Sequence, residues 1–554
     1  MTQRTQPNAD TASPWAPFAY SAFALLWTAT LVSNIGTWVH NAGAAWLMTT
    51  LDPSPAVVAL VQAATALPVF CFALFAGTLA DRVDKQRFLV IVNIVIAVVT
   101  LCLAVLVALG WMTPVGLLVF TFLIGTGAAF MAPAWQAIVP ELVPRENLQP
   151  AIALNGLGIN ISRAIGPALA GMLIISINLA APFVVNAASY LVIIGALLIW
   201  KRPPAPARTL PPEPLMGGML TGLRHVSHNA PMKATLLRAL GYFIFVSAYW
   251  ALLPLVARAI PGGDAGLYGT LLAAVGTGAV AGALALPKIR QKLNTNILQA
   301  LGAAVTAVAM AGLGIATSVW VALPAAFLGG LGWIAVLTSL NVSAQTALPN
   351  WVRARGLSIQ IMVFFGCMAA GSIVWGQVAT YTSLSTALLA AAVGALVAIP
   401  LTWRAKLGQA EQRDLTPAMS WETPVIADTF DDDPDRGPVL VTISYVIDDQ
   451  DTDGFLQAIH ALSAERYGNG AYSWGVYQDA AESGIWFEWF FLSSWAEHLR
   501  QHERVTRHDQ DIHDSVRVYH RGDTPPEVHH YLALNRTSRG RGQRVKPETR
   551  DSDI

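Results

Sequence analysis

Ionisable side chains are scarce within the long apolar stretches of this sequence, and the few that occur there are the first candidates for chemistry. His40 and Arg163 lie inside such stretches, whereas the carboxylates nearest to membrane depth, Asp52, Asp81 and Asp264, fall at loops. A charged group in a membrane is costly without a partner, so it usually marks ion coupling or the charge of a substrate. Protonation of Asp81 or His40, coupling of another kind and facilitated diffusion all stay open.

The candidates for contact with a substrate are Arg163 and a polar stripe in the first apolar stretch. Arg163 could attract an anionic or catecholate-like molecule, or it could extend its charge to the membrane interface. Asn34, Trp38, His40 and Asn41 recur at helical spacing, which suits either a cavity wall or hydrogen bonds between helices. These five residues are the candidates for the lining of a substrate cavity, and both alternatives stay open.

Three aromatic residues of the second half, Tyr242, Tyr249 and Trp250, suit either the wall of that cavity or the membrane–water boundary. Tryptophan is enriched at that boundary, so we expect Trp250 to be an interfacial anchor.

The composition indicates that these residues are positioned by membrane helices. Of the 554 residues, 54% are hydrophobic and 12% are charged, against about 25% charged in soluble domains. A hydrocarbon core of about 30 Å requires about 20 apolar helical residues. Twelve spans are predicted at 18–48, 55–80, 88–110, 114–138, 152–177, 181–200, 236–258, 266–287, 297–315, 318–340, 357–378 and 383–403.

Lysine and arginine alternate between the predicted loops. One set of loops holds Arg82, Lys85, Arg87, Arg145, Lys201, Arg202, Arg208, Arg224, Lys233, Lys288, Arg290, Lys292, Arg353, Arg355, Arg404 and Lys406, and the opposite set holds Arg258. Positive charge is enriched on the cytoplasmic side. We therefore expect a multi-pass protein of the inner (plasma) membrane with both termini in the cytoplasm.

The predicted organisation has seven parts. They are a cytoplasmic N-terminal tail (1–17), a six-helix bundle (18–200), a cytoplasmic connector (201–235), a second six-helix bundle (236–403), a linker (404–437), a soluble domain (438–535) and a basic disordered tail (536–554). A 6+6 plan is typical of duplicated transporters. The segments 136–143 and 345–352 match weakly at equivalent places in the two bundles, which supports the duplication.

The loop after the second span, Gly77-Thr-Leu-Ala-Asp81-Arg82-Val-Asp84-Lys85-Gln-Arg87, resembles a signature of the major facilitator superfamily. The resemblance implies an all-α fold of twelve membrane helices and a conformational latch formed by Gly77, Asp81, Arg82 and Arg87. Alternatively, the charges are ordinary basic residues of a cytoplasmic loop. The corresponding loop of the second half, 285–292, lacks an acidic counterpart of Asp81, so any latch there is weaker or absent.

The segment from Pro133 through Arg163, Gly166 and Pro167 to Gly171 is similar to the exporter branch that contains the enterobactin exporter and the transmembrane secretion effectors. Members export siderophores and other small metabolites, so the resemblance implies efflux. Arg163, Gly166, Pro167 and Gly171 form a helix-5 motif in this resemblance, in which Gly166-Pro167 is similar to a signature of drug exporters that permits bending and close packing. The fourth span lacks the buried arginine of many proton-coupled drug exporters, which puts a standard proton relay in doubt.

The region after the linker alternates as β-α-β-β-α-β, which predicts a ferredoxin-like α+β domain. Residues 491–506 resemble the second helix of small antibiotic-biosynthesis-monooxygenase-like domains, which commonly dimerise through their sheets, so a homodimer through this domain is implied. His498 and His502 lie four residues apart on this helix, and we interpret them as solvated surface instead of metal ligands. We expect neither a metal nor a cofactor, nor a nucleic-acid partner.

These observations predict a secondary transporter that is not an enzyme. It would export a small metabolite, siderophore or drug-like molecule from the cytoplasm by alternating access, driven by protons. No nucleotide-binding loop occurs in the sequence, which disfavours an ATP-driven pump. Two alternatives stay open: a membrane-tethered sensor or enzyme that acts through the C-terminal domain, and an uptake transporter of the same fold.

Overall fold

The computed structural model describes residues 13–80, 83–202, 215–408, 413–418 and 436–533. Their contacts divide the chain into two compact units. The first unit comprises the described parts of Met1–Met219, Pro231–Leu348 and Arg353–Glu411. The second comprises Leu220–Ala230, Pro349–Val352 and the described parts of Gln412–Ile554.

Among the described residues, 12 helices are long and apolar enough to cross a membrane, which confirms the predicted number. The first half contains α1 (Ser21–Leu51), α2 (Pro55–Ala80), α3 (Lys85–Ala108), α4 (Pro114–Leu142), α5 (Leu148–Ser176) and α6 (Ala181–Ile199). A shorter helix, α7 (Leu215–His228), follows in the connector. The second half contains α8 (Ala230–Ala259), α9 (Ala265–Arg290), α10 (Thr295–Gly314), α11 (Val319–Thr346), α12 (Arg353–Tyr381) and α13 (Leu384–Leu401).

The bundle exposes apolar side chains, as a membrane protein must. On α3, Ile91, Val95 and Val98 are 60%, 56% and 55% exposed, whereas Leu89 and Ile96 on another face are buried. An apolar patch of this kind is unfavourable in water and favourable in lipid. The first half meets the second mainly through two helix pairs, α2 with α12 and α5 with α9.

The helix α7 in the connector was not predicted from the sequence. The next helix, α8, begins at Ala230, six residues before the predicted start of the second bundle. Thus α7 is separated from a membrane helix by Asn229 alone, and no long loop lies between them.

The C-terminal domain has the predicted ferredoxin-like topology. Its elements are β1 (Val439–Val446), α14 (Thr452–Gly468), β2 (Ser473–Gln478), β3 (Ile485–Leu492), α15 (Trp495–Arg504), α16 (Arg507–Arg517) and β4 (Glu527–Leu532). The strands form one antiparallel sheet in the order β2-β3-β1-β4. The β-α-β-β-α-β order is confirmed, and α16 is a helix beyond it that the sequence did not predict.

Candidate functional site

Glycines of α5 and α9 allow the backbones of the two halves to touch. A Cβ atom added to Gly171 would lie 2.7 Å from the carbonyl oxygen of Ala265, and one added to Gly276 would lie 2.7 Å from Cα of Ala164. Both distances are too short for a side chain, so these positions accept glycine alone at the present helix spacing. Gly171 of the helix-5 motif therefore lies in close contact at the seam between the halves.

One end of this seam is closed by side chains from both halves. The guanidinium of Arg258 donates a hydrogen bond to the carbonyl oxygen of Thr49. Beside it, the rings of Trp46 and Tyr268 are stacked with centroids 6.0 Å apart. Thr49 and Tyr268 are 0% and 5% exposed. We call this end, which lies next to the 52–54 and 260–264 loops, the closed end.

The second seam, between α2 and α12, is also tight at this end. A Cβ atom added to Gly376 would lie 2.6 Å from Cβ of Ala59, near the closed end. Towards the opposite end, a Cβ atom added to Gly77 would meet the Ser358 hydroxyl at 3.9 Å, an ordinary contact. Gly77 thus lies at the seam, where this contact does not require glycine, and its part in a latch stays a prediction.

The other latch residues are placed differently. Asp81 and Arg82 lie outside the described residues. Arg87 is exposed on the first turn of α3, where its backbone N–H donates to the Asp84 carboxylate at 2.8 Å. Asp84 is therefore the N-cap of α3, a role that the resemblance did not assign to it.

An ionic cluster beside this loop joins the ends of three helices of the first half. The Arg202 guanidinium donates to both carboxylate oxygens of Glu141, at 2.7 and 2.9 Å, and to Asp84 at 3.1 Å. Lys85 donates to the same Glu141 carboxylate at 3.2 Å. Bidentate geometry of this kind gives orientation as well as energy. From the sequence, Lys85 and Arg202 were predicted only to be loop charges, and their pairing with Glu141 was not predicted.

The structure brings together two of the predicted cavity residues. The Arg163 guanidinium lies over the Trp38 ring, 5.3 Å from its centroid, and the Arg163 Nε atom has no hydrogen-bond partner among the described residues. A Cβ atom added to Gly166 would lie 2.4 Å from the Trp38 Cβ atom, so this glycine lets α1 approach α5. Asn34 and Asn41, half-buried, share the helical face of Trp38 by their spacing.

His40 lies on a different face of α1. It is 2% exposed, and its ring meets Phe183 of α6 edge-on with centroids 5.0 Å apart. Gly36 and Gly43, on the same side of α1, are also in contact with α6. The structure therefore places His40 in packing between helices and away from the Arg163–Trp38 pair.

A buried arginine in the second half escaped the sequence analysis. Arg238 of α8 is 1% exposed, and it donates to Gln299 at 2.8 Å and to the carbonyl oxygens of Ala405 and Trp403 at 2.8 and 3.4 Å. It was missed because the predicted span began only two residues before it. These partners make it a structural tie between α8, α10 and the end of α13.

Trp250 is not an interfacial anchor, contrary to expectation. Its ring contacts Trp333 edge-on at 5.2 Å and Tyr249 at 5.7 Å, and its indole nitrogen is buried. Tyr249 donates to the carbonyl oxygen of Ala326 at 3.1 Å. These contacts place Trp250 among aromatic residues of α8 and α11.

The interior of the C-terminal domain is organised by an ion pair. Arg466 and Glu488 are 1% and 0% exposed, and the Arg466 Nε atom lies 2.8 Å from the Glu488 Oε1 atom. The Glu488 carboxylate also accepts hydrogen bonds from Trp474 at 2.9 Å and from Tyr445 at 3.1 Å. Burial alone would raise the pKa of Glu488, but the Arg466 charge and the hydrogen bonds hold it below the usual value. Because both oxygens of this carboxylate already accept hydrogen bonds, its role is to stabilise the interior of the domain.

The interpretation of His498 and His502 as solvated surface is wrong for His498. It is 2% exposed, and its ring lies 4.7 Å from both His502 and His530, because α15 turns this face towards the sheet. Burial, followed by the neighbouring His530 and His502, lowers the pKa of His498 to about 3. Among the described residues, no group of three or more His, Cys, Asp or Glu side chains could hold a metal ion.

The sheet carries an apolar outer face. Strand β3 alternates, so that Trp486, Glu488, Phe490 and Leu492 are buried while Phe487, Trp489 and Phe491 point outward. Those three residues line a shallow groove of about 770 Å³ together with Leu440 and Tyr531. These half-buried aromatic side chains make the outer face of the sheet a candidate interaction surface.

Comparison with known proteins identifies related sequences. The family described as transmembrane secretion effector matches residues 12–538. The staphyloferrin A transporter of Staphylococcus aureus is 24% identical over 345 residues, which is 61% of this chain and 85% of that protein. The enterobactin exporter EntS of Escherichia coli is 27% identical over 290 residues, which is 50% of this chain and 66% of that protein.

Solved structures share the fold of the helical unit. A bacterial homologue of the human lysosomal transporter Spinster, in an inward-facing and unoccupied conformation, has a TM-score of 0.57 at 15% identity and covers 70% of this chain and 97% of its own. A POT family transporter has a TM-score of 0.58 at 12% identity and covers 69% and 96%. At these identities the likeness establishes the fold alone.

Proposed function

Because this chain belongs to the transmembrane secretion effector family of the major facilitator superfamily, we propose that it exports a small, anionic metabolite of the siderophore type by alternating access. It is a multi-pass membrane transporter with siderophore transporters and exporters among its relatives. The proposal concerns the substrate, the direction of transport and the source of energy.

The observation that carries the proposal is the Arg163–Trp38 pair. A guanidinium stacked on an indole keeps its charge, and the Arg163 Nε atom has no partner among the described residues. A planar cation of this kind suits carboxylate or catecholate oxygens, which accept two parallel hydrogen bonds. The aromatic ring next to it provides an apolar surface for the rest of the substrate.

Alternating access is supported by the two glycine-lined seams. Both are tight near the closed end, where backbone atoms of α5 and α9 touch. A rocking motion about such seams would open this end while closing the other. Export would follow if the substrate reaches Arg163 from the cytoplasm. Efflux is also the activity for which the related enterobactin exporter is named.

We further propose that the chain lies in the inner membrane with the basic loops in the cytoplasm and that the proton gradient drives transport. The alternation of Lys and Arg between loops supports the orientation. His40 is packed against Phe183, so Asp81 is the better candidate for a protonation step.

The test is retention of siderophores and amphiphilic anions in cells that express the wild type, Arg163→Met or Arg163→Lys. Arg290→Met, at the exposed end of α9, is the matched control. We expect low retention in the wild type and the control, high retention in Arg163→Met and a partial effect of Arg163→Lys. A protonophore should raise wild-type retention. Equal retention with Arg163→Met would exclude the proposed role of this cation.

The alternative of a membrane-tethered sensor or enzyme is tested by removal of residues 434–554. Efflux that survives this deletion would favour the transporter. Uptake by the same fold would appear as higher, not lower, retention in cells that express the wild type.

We also propose that two copies of the chain associate through the outer face of the sheet. The aromatic residues Phe487, Trp489 and Phe491 support this proposal, since sheet faces bury such residues when they pack together. Light scattering of the purified protein should give a dimer for the wild type and a monomer for Trp489→Glu. Val518→Glu, at a side chain that is 69% exposed and does not line the groove, is the control and should stay a dimer.

A further inference from the structure

The second unit includes two segments that are remote in sequence from the C-terminal domain. They are Leu220–Ala230, which spans the end of α7 and the first residue of α8, and Pro349–Val352, the turn before α12. Neither segment belongs to the ferredoxin-like topology. Both nevertheless contact residues of the domain, and all the contacts described next lie within this unit.

The end of α7 contacts the end of α14. The His225 Nδ1–H group donates to the carbonyl oxygen of Gly468 at 3.0 Å, and the His225 Nε2 atom lies 3.3 Å from the Asn229 amide nitrogen. A carbonyl can only accept, so the hydrogen bond fixes the proton on Nδ1. One turn further along α7, His228 stacks on Tyr467 at 4.8 Å with the rings 16° from parallel.

Trp351 joins the two segments to the domain. Its ring lies 4.4 Å beneath the Arg504 guanidinium at the end of α15 and meets His225 edge-on at 5.3 Å. Arg504 is held in place, because it donates to the carbonyl oxygen of Asn469 at 3.2 Å and forms an ion pair with Glu497. The indole is therefore fixed between a cation of the domain and the imidazole of α7.

We propose that the C-terminal domain is a conformational regulator that grips α7 and the turn before α12 through Trp351. This contact can affect the membrane helices because the two gripped segments continue directly into α8 and α12. Val352 directly precedes α12, which forms the α2–α12 seam, and Ala230 is the first residue of α8. The grip fixes the spacing between the starts of α8 and α12. It therefore opposes a transport step that alters this spacing, and it favours the present conformation, in which the closed end is shut.

The proposal has two parts with separate tests. The docking of the domain is independent of any transported substrate, whereas the regulation rests on the alternating access proposed above. Trp351→Ala removes the shared contact without altering a residue of the domain fold. Trp320→Ala, at a tryptophan that is 85% exposed, is the control for the same substitution.

The first readout is hydrogen–deuterium exchange of the full chain in detergent. Backbone amides of 220–228 should exchange at least about tenfold faster in Trp351→Ala than in the wild type or the control, since undocking exposes this segment. His225→Ala is the second variant, with the same expectation. Unchanged exchange in both variants would overturn the docking.

The second readout is maleimide labelling of Thr49→Cys at the closed end, in a background that lacks the native cysteines. Undocking should accelerate the labelling at least about twofold, because it removes a restraint on the closed conformation. Faster exchange at 220–228 with unchanged labelling would overturn the regulatory role. A wild type that moves no substrate would instead count against the proposed function, and both readouts would still apply.

Discussion

Substitution of Gly171 by alanine tests the packing that closes one end of the transporter. The added Cβ atom would lie 2.7 Å from the carbonyl oxygen of Ala265 and 3.2 Å from Cα of Gly266. Ordinary contact begins near 3.4 Å, so α5 and α9 must separate by about 0.7 Å at this point. The closed conformation should lose stability relative to one in which these helices part.

The size of the effect follows from known costs of overpacking. An extra methyl group in a well-packed interface costs about 1–3 kcal/mol. Since about 1.4 kcal/mol corresponds to a factor of ten, the ratio of closed to open forms should fall by about 5- to 150-fold. Gly156→Ala provides the control, because it is the same substitution on the same helix and its Cβ atom would meet nothing within 4 Å.

The assay is the rate at which a soluble maleimide labels Thr49→Cys in purified protein, after Cys71, Cys102 and Cys367 have been replaced by alanine. Thr49 is 0% exposed in the closed form, so labelling reports opening of this end. Labelling should accelerate in the Gly171→Ala background and stay at the wild-type rate in the Gly156→Ala background. Equal rates in the two backgrounds would refute the argument from helix separation.

Three further predictions concern buried charges and a histidine. Arg466→Met leaves the Glu488 carboxylate buried without its cation, so the free energy of unfolding of the domain should fall by about 3–5 kcal/mol, measured as a lower unfolding temperature. The control is Arg517→Met, at a side chain that is 58% exposed, which should change the free energy of unfolding by no more than about 0.5 kcal/mol. Arg238→Met leaves three hydrogen-bond acceptors without their donor, so the unfolding temperature of the helical unit should fall by an amount equivalent to at least about 2 kcal/mol. An unchanged unfolding temperature would mean that Arg238 does not stabilise the contact between these helices. Burial lowers the pKa of His225 to about 4 from 6.5, so docking of α7 should be complete above pH 6.5 and weaken as the pH falls towards 4, by about tenfold between pH 7.5 and 5.5. Exchange of residues 220–228, corrected for the intrinsic effect of pH, measures this, and a His225→Gln variant with the same pH dependence would contradict it.

The sequence predicted elements whose signals are local. Twelve apolar stretches of sufficient length gave the membrane helices, because lipid leaves a backbone no alternative to internal hydrogen bonds. Alternating residues gave the four strands of the C-terminal sheet. The helices α7 and α16 gave no such signal: α7 contains Gly217 and Gly218, and α16 is highly charged with few apolar residues.

The candidate site was predicted by residue type but not by arrangement. Arg163 and Trp38 were both named, yet their contact depends on Gly166, which lets α1 approach α5. His40 was grouped with the polar residues of α1, but it lies on an adjoining face and its ring packs on Phe183 of α6. Helical spacing alone does not show which face of α1 meets a neighbouring helix and which faces a cavity, because that depends on how the helices pack.

The sequence by itself thus determined the class of protein, the number of spans, the 6+6 plan and the topology of the appended domain. These follow from hydropathy and from the period of side chains along a helix or strand. Only the tertiary structure decided which polar groups meet: Arg202 with Glu141, Arg238 with Gln299, and Trp351 with Arg504. Each pair joins residues that are remote in sequence, and their contact depends on how whole helices pack, for which a linear pattern carries no signal.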